Sequence, residues 1–354
     1  MLRGAARRFI FAYRCIGVSS DEEAALCLRR GASRFVPSLA AVLLAAPLLG
    51  VAALAVGACS GREAKPHAAA VRFDEAAWKP PREADIPADS LGKSIRRGLY
   101  LLRFTPESLP AYDPSGLRCT SCHQDDGLKR SSAPLSGSAA RFPKYMPRSG
   151  GVIALADRVN YCFTRSLAGN AIPAGSREMV DILAYLAFIS HDVPVGWKIA
   201  GTDGLISMKD ALVGDTLRGR VKFESTCVIC HQKDGSGIAP IPPLWGARSF
   251  SIGASMAREE RAASFIWHNM PQSAPGTLQP QEAFDLAAYV DSHPRPDSPG
   301  KEGDWPAGGA PTDVPYATHG HEAHRPPASL IPRASTPSAL VPNPPSVLLH
   351  RSGK

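Results

Sequence analysis

The chain has 354 residues, enough for two domains, and a hydrophobic content of 44% suffices for ordinary globular cores. Its 31 Gly and 33 Pro point to a large share of loop. The formal charge is +8, but residues 60–354 hold 33 basic and 29 acidic side chains, a surplus too mild to argue for nucleic acid and compatible with a small anionic substrate or an acidic partner.

Residues 1–59 read as an export region. Phe35 to Ala58 is a run of 24 residues without a charge, preceded by Arg29, Arg30 and Arg34 and ending in small residues before Cys59. A basic flank, an apolar run and a small-residue cleavage point describe a secretory signal. The cysteine straight after it resembles a bacterial lipobox, which predicts lipidation at Cys59. The alternative is an uncleaved anchor, because 24 apolar residues can span a bilayer. Either reading puts the remainder outside the cytoplasm, periplasmic and tethered to a membrane. Residues 1–28, with Cys15 and Cys27, show no domain pattern and suggest a start between Val18 and Leu28. Residues 60–90 read as a linker.

The first domain is expected over residues 91–195. Its centre is "CTSCH", Cys119 to His123, and a second copy, "CVICH", occupies Cys227 to His231 in a second domain over 212–293, after a linker at 196–211. The spacing C-x-x-C-H is that of c-type haem attachment. Cys119 and Cys122, and likewise Cys227 and Cys230, can form thioethers to one haem each. His123 and His231 then stand under the irons. Two copies behind an export signal, with no further ligand pair beside either, argue against zinc half-sites.

The surroundings of the motifs repeat. Arg97-Gly98 precedes the first and Arg218-Gly219 the second; "EMVDILAYL" (Glu178 to Leu186) and "EAFDLAAYV" (Glu282 to Val290) follow. Apolar positions recur at helical spacing in both late segments, with the acid and the tyrosine in register. This resembles two class I cytochrome c domains in tandem, an all-α architecture with long loops.

The repeat also addresses the sixth iron ligands. In the second domain Met256, His268 and Met270 are candidates, and Met270-Pro271 resembles the usual Met-Pro ligand of small cytochromes c. Met270 lies 39 residues after His231, and the same offset from His123 falls on Cys162, in "LADRVNYCFTRS". Cys162 is the one cysteine that neither haem motif nor export region uses. A buried core thiol, or ligation by Met146 in "YMPRS", remains the alternative.

With these stretches in view, the chain resembles the dihaem thiosulfate dehydrogenases, also called tetrathionate reductases. The resemblance rests on "LRCTSCH", "RFPKYMPRSG", "LADRVNYCFTRSLAGNAIP", "SREMVDILAYLAFIS", "TCVICHQKDGSG", "PPLWG", "NMPQ" and "GDWPAGGAPTDVPY", from about residue 91 to 316. It implies two covalent haem c groups, with His123 and Cys162 on the catalytic iron and His231 and Met270 on the electron-transfer iron. It implies oxidation of two thiosulfates to tetrathionate, or the reverse, with electrons leaving to a soluble cytochrome c or a similar acceptor. A thiolate ligand lowers an iron potential and methionine raises it, so electrons are expected to run from the first haem to the second. Arg158 and Arg165, flanking Cys162, are candidate clamps for sulfur oxyanions, with haem propionates as the other partner they could serve. Ser166 is a further candidate donor. Two positions depart from the family: Tyr161 stands where Gly is usual, and Asn269 where some members carry a Lys beside the methionine.

Three other readings remain open at this level: an electron carrier without substrate chemistry, a different sulfur enzyme that conjugates thiosulfate to a carrier protein, and a docking subunit for an oxidase. Residues 294–316 are expected to form an extended strap and the Pro-rich residues 317–354 a disordered tail.

Overall fold

The computed structural model describes residues 73–202 and 204–324. The export region, Cys59 and the tail from residue 325 lie outside the described residues. Six helices carry the architecture: α1 (Ser90–Arg103), α2 (Leu155–Tyr161), α3 (Arg177–Phe188), α4 (Thr216–Thr226), α5 (Glu259–Asn269) and α6 (Pro280–Asp291). The all-α expectation needs one amendment, a small antiparallel hairpin of β1 (Lys144–Met146) and β2 (Gly151–Ile153), in register Lys144 to Ile153.

Local sequence explains where the helices start. Asp89 caps α1 by accepting the Gly92 N–H at 2.8 Å. Ser176 caps α3, and Asp215 caps α4 through the N–H groups of Leu217 and Arg218. Pro280 opens α6, where it forfeits no helical hydrogen bond. The buried face of α1 holds Ile95, Gly98, Leu99 and Leu102, a 3.6-residue stripe.

The sequence repeat is a repeated helix crossing. α1 packs on α3, and α4 on α6. Gly98 sits where a Cβ would lie 2.0 Å from the Asp181 carbonyl oxygen, with the Tyr185 Cβ at 2.9 Å. Gly219 sits where a Cβ would lie 1.9 Å from the Asp285 carbonyl oxygen, with the Tyr289 Cβ at 2.8 Å. Beside each crossing the arginine pairs with the aspartate: Arg97 Nε with Asp181 at 3.0 Å, and Arg218 Nε with Asp285 at 2.7 Å. Glycine permits backbone contact, and the adjacent ion pair sets the register. Gly219→Ala is therefore expected to cost about 1–3 kcal/mol through overpacking, read as a lower urea midpoint. Gly175→Ala, where a Cβ meets nothing within 4 Å, should leave that midpoint in place.

The stretches expected to be linkers contribute to packing. Phe73, Trp78 and Trp197 form an aromatic cluster, and Glu75 accepts from Trp197 Nε1 at 2.9 Å and from the Ala200 N–H at 2.6 Å. The strap is anchored to the rest of the fold. The Trp305 N–H donates to the Arg148 carbonyl at 2.8 Å, and Ile252, Trp305, Val314 and Tyr316 form their own apolar cluster. Ordered chain also continues beyond the boundary expected at residue 316, with a bridge between Thr318 and His321.

Candidate functional site

The first attachment motif is a single helical turn, Cys119–Cys122, entered from an extended Arg118. Thr105 fixes it: its hydroxyl accepts the Cys119 N–H at 3.1 Å and lies 3.4 Å from Cys119 Sγ. Burial pushes both the Cys119 and Cys122 thiols up to about 12. The His123 Nδ1 lies 2.5 Å from the Ala133 carbonyl, which holds the ring and leaves Nε2 available to a ligand. The second motif repeats the device with His231 Nδ1 at 3.4 Å from the Pro242 carbonyl.

Cys162 opens a π-helical turn, Cys162–Ser166, that continues α2. The Leu167 N–H closes it on the Cys162 carbonyl at 2.9 Å. Such turns are uncommon and concentrate at functional sites. The side chain of Asn160 braces the segment by bonding both the N–H and the carbonyl of Ile172. Arg158, one turn before Cys162 on the same helix face, directs Nη1 to Sγ at 3.2 Å. Burial raises the Cys162 thiol, but the Arg158 guanidinium and a hydrogen bond from His123 outweigh it and bring the group down to about 6. The structure thus brings Cys119, Cys122, His123, Cys162 and Arg158 together.

Arg165 is placed differently from the expectation of paired clamps. Its Nη2 bonds Asp304 Oδ1 at 2.5 Å, and its guanidinium lies over the Tyr161 ring at 4.1 Å. Asp304, in the strap and 1% exposed, also accepts from Arg148 Nε and from the Tyr316 hydroxyl, each at 2.8 Å. Nη1 of Arg165 is buried without a hydrogen-bond partner. Ser166 is half-buried, and its carbonyl accepts the Ser251 N–H at 3.0 Å.

Around the second motif, Cys227 packs with Phe223, Leu278, Leu286, Trp245, Ile266 and Trp267. Met270 caps the C-terminus of α5. Of the other ligand candidates, Met256 is packed into the apolar core, His268 points Nδ1 at the Ser264 carbonyl, and Met146 lies in β1 opposite Gly151.

These donors fit covalently held haem. Each motif offers two thiols one helical turn apart and an imidazole whose second nitrogen is tied to a backbone carbonyl. At the first, a thiol of depressed proton affinity stands within hydrogen-bonding reach of the imidazole. Sequence reasoning missed Thr105, Ala133 and Asp304. The last lies in "GDWPAGG", but the strap also carries Asp297, Glu302 and Asp313, so nothing in the sequence singled Asp304 out.

Residues 111–195 match the profile of the SoxA/TsdA cytochrome c domain. A thiosulfate dehydrogenase of Allochromatium vinosum is 38% identical over 262 residues, 71% of this chain and 94% of that one. Another, of Psychrobacter arcticus, is 37% identical over 251 residues, 68% of this chain and 76% of that one. The solved thiosulfate dehydrogenase TsdBA of Marichromatium purpuratum, in its as-isolated form, superimposes with a TM-score of 0.60 at 26% identity over 68% of this chain. The present chain spans 55% of that longer one. A cytochrome c fold, two C-x-x-C-H turns and alignment over 94% of one such relative and 76% of another lead to one conclusion: this chain belongs to the thiosulfate dehydrogenase family.

Proposed function

We propose that the protein is a dihaem thiosulfate dehydrogenase that couples two thiosulfates into tetrathionate. In this reading each α1/α3 and α4/α6 pair frames one class I cytochrome c domain. Cys119, Cys122, His123 and Cys162 hold the first haem; Cys227, Cys230, His231 and Met270 hold the second. Haem c at the two sites supplies the pair of one-electron oxidants that the coupling needs.

The observation that carries the reading is the Arg158–Cys162 pair facing His123. A thiolate with a guanidinium at 3.2 Å is a sulfur nucleophile with an oxyanion partner already beside it. Bringing two thiosulfate dianions together costs Coulomb repulsion, which Arg158 offsets directly. Arg165 and Arg148 share the one charge of Asp304, so this cluster retains a positive charge near the same turn. In one form of the chemistry, Cys162 would be released from its ligand role, and its thiolate and the outer sulfur of a first thiosulfate would form an S–S bond as one electron passes to each of the two haem oxidants. The outer sulfur of a second thiosulfate then attacks that outer sulfur, tetrathionate leaves, and the Cys162 thiolate is restored.

Haem-loaded protein mixed with thiosulfate and ferricyanide is expected to yield one tetrathionate per two ferricyanide reduced. Ferricyanide reduction by the pre-reduced protein without tetrathionate would replace the reading by that of an electron carrier. Mass spectrometry after a single addition of thiosulfate tests the covalent form, and an unmodified Cys162 peptide would exclude it.

The acceptor is proposed to be a soluble cytochrome c or a similar redox protein. Export and tethering through Cys59 are proposed from the apolar run at residues 35–58; no described helix is long and apolar enough to cross a membrane.

A further inference from the structure

Asn269 immediately precedes Met270 and is fully buried. Both polar atoms of its amide are used. Nδ2 donates to the Ser131 carbonyl at 2.9 Å and to the Phe265 carbonyl at 3.0 Å, and Oδ1 accepts from the Ser131 hydroxyl at 2.9 Å. Ser131 belongs to the loop after the first attachment motif, 138 residues away in sequence. The next two residues hold that motif itself. The Ser132 hydroxyl donates to the Cys122 carbonyl at 2.8 Å, and the Ala133 carbonyl engages His123 Nδ1 at 2.5 Å.

A path that alternates backbone and hydrogen bonds therefore runs from Met270 to its neighbour Asn269, across the amide to Ser131, and along two residues of chain to the Ala133 carbonyl that orients His123. Each bond in it is short, and a buried amide that loses a partner has no water to replace it. We infer that Asn269 is a positioning residue that couples the ligand geometry of the two irons. As a ligand of the second iron, Met270 would be held by a bridge whose other end fixes the imidazole of His123. Polar networks of this kind transmit small shifts because the low dielectric penalises partial satisfaction. The inference rests on the reading of Met270 and His123 as ligands.

The test uses the full haem-loaded chain and two variants. Asn269→Ala removes the bridge. Ser131→Ala is milder: it removes one bond from the far end and leaves Asn269 Nδ2 on the Ser131 and Phe265 carbonyls. The readouts are the red methionine-to-iron charge-transfer band of the oxidised protein and the midpoint potentials of both haems, with haem content checked per chain. Ser131→Ala, made in the loop after the first attachment motif, is expected to weaken the methionine band of the second haem. It is also expected to change the electron partition between the haems about tenfold, a relative shift of about 59 mV for one-electron couples. Asn269→Ala should do both more strongly; if it does not fold, Ser131→Ala decides. A normal wild-type band with both readouts unchanged in the variants overturns the bridge alone. A wild-type protein without the band, or a Met270→Ala variant that keeps it, overturns the ligand assignment and the bridge with it.

Discussion

Replacing Cys162 by alanine is expected to lower kcat/KM for thiosulfate by roughly 10³-fold or more, as removal of a reacting nucleophile does, while both haems stay attached. The separation of effects follows from the geometry. Cys119, Cys122 and His123 keep their own supports in Thr105 and the Ala133 carbonyl, and none of these passes through Cys162. Among the described residues Cys162 is the only cysteine outside the two attachment motifs, so no neighbouring thiol can substitute for it. Pyridine haemochrome quantification should still give two haems per chain, and the absorption spectrum should lose its thiolate-ligated component. Arg158→Leu should act on the same turn but more gently, by about 10²-fold, with the loss growing smaller at high ionic strength. Activity of the alanine variant within tenfold of wild type would remove Cys162 from the chemistry.

Replacing Asp304 by asparagine is expected to be strongly destabilising. The carboxylate is 1% exposed and accepts from Arg148, Arg165 and Tyr316. Losing its charge leaves two largely buried guanidinium groups without their anion, which costs about 3–5 kcal/mol when one member of a buried pair is removed. Urea denaturation monitored by circular dichroism would show this as a large fall in midpoint. Activity should fall as well, because Arg165 would no longer be held over Tyr161 in the turn that carries Cys162. A change below about 1 kcal/mol, the range of an exposed ion pair, would show that the strap plays no part in holding the site.

Tyr161 and Asn269, the two departures from the family pattern, acquire physical content here. The ring of Tyr161 is the platform under Arg165. Asn269, the last residue of α5, uses its amide to join the segment before Met270 to the loop after His123. A lysine there would place a charged amine where the fold supplies a fully buried, fully bonded amide.

The sequence by itself determined the elements whose causes are local. The C-x-x-C-H turns, the caps of α1, α3 and α4, and the i to i+4 relation of Arg158 to Cys162 all depend on residues within one or two helical turns. The repeat went further, because a helix crossing needs a glycine and a matching pair of charges at the same offset, and those are visible as pattern. Tertiary structure alone decided the rest. The group that orients His123 is a backbone carbonyl, which every residue carries, so no side chain announces Ala133. The acid that neutralises Arg165 lies 139 residues away, and the serine that meets Asn269 lies 138 away. Short polar side chains such as Asp, Asn and Ser make equally good surface, cap and turn residues. Their partners are chosen by the path of the strap and by the meeting of a loop with the end of α5, and desolvation in the folded core is what turns those meetings into strong interactions.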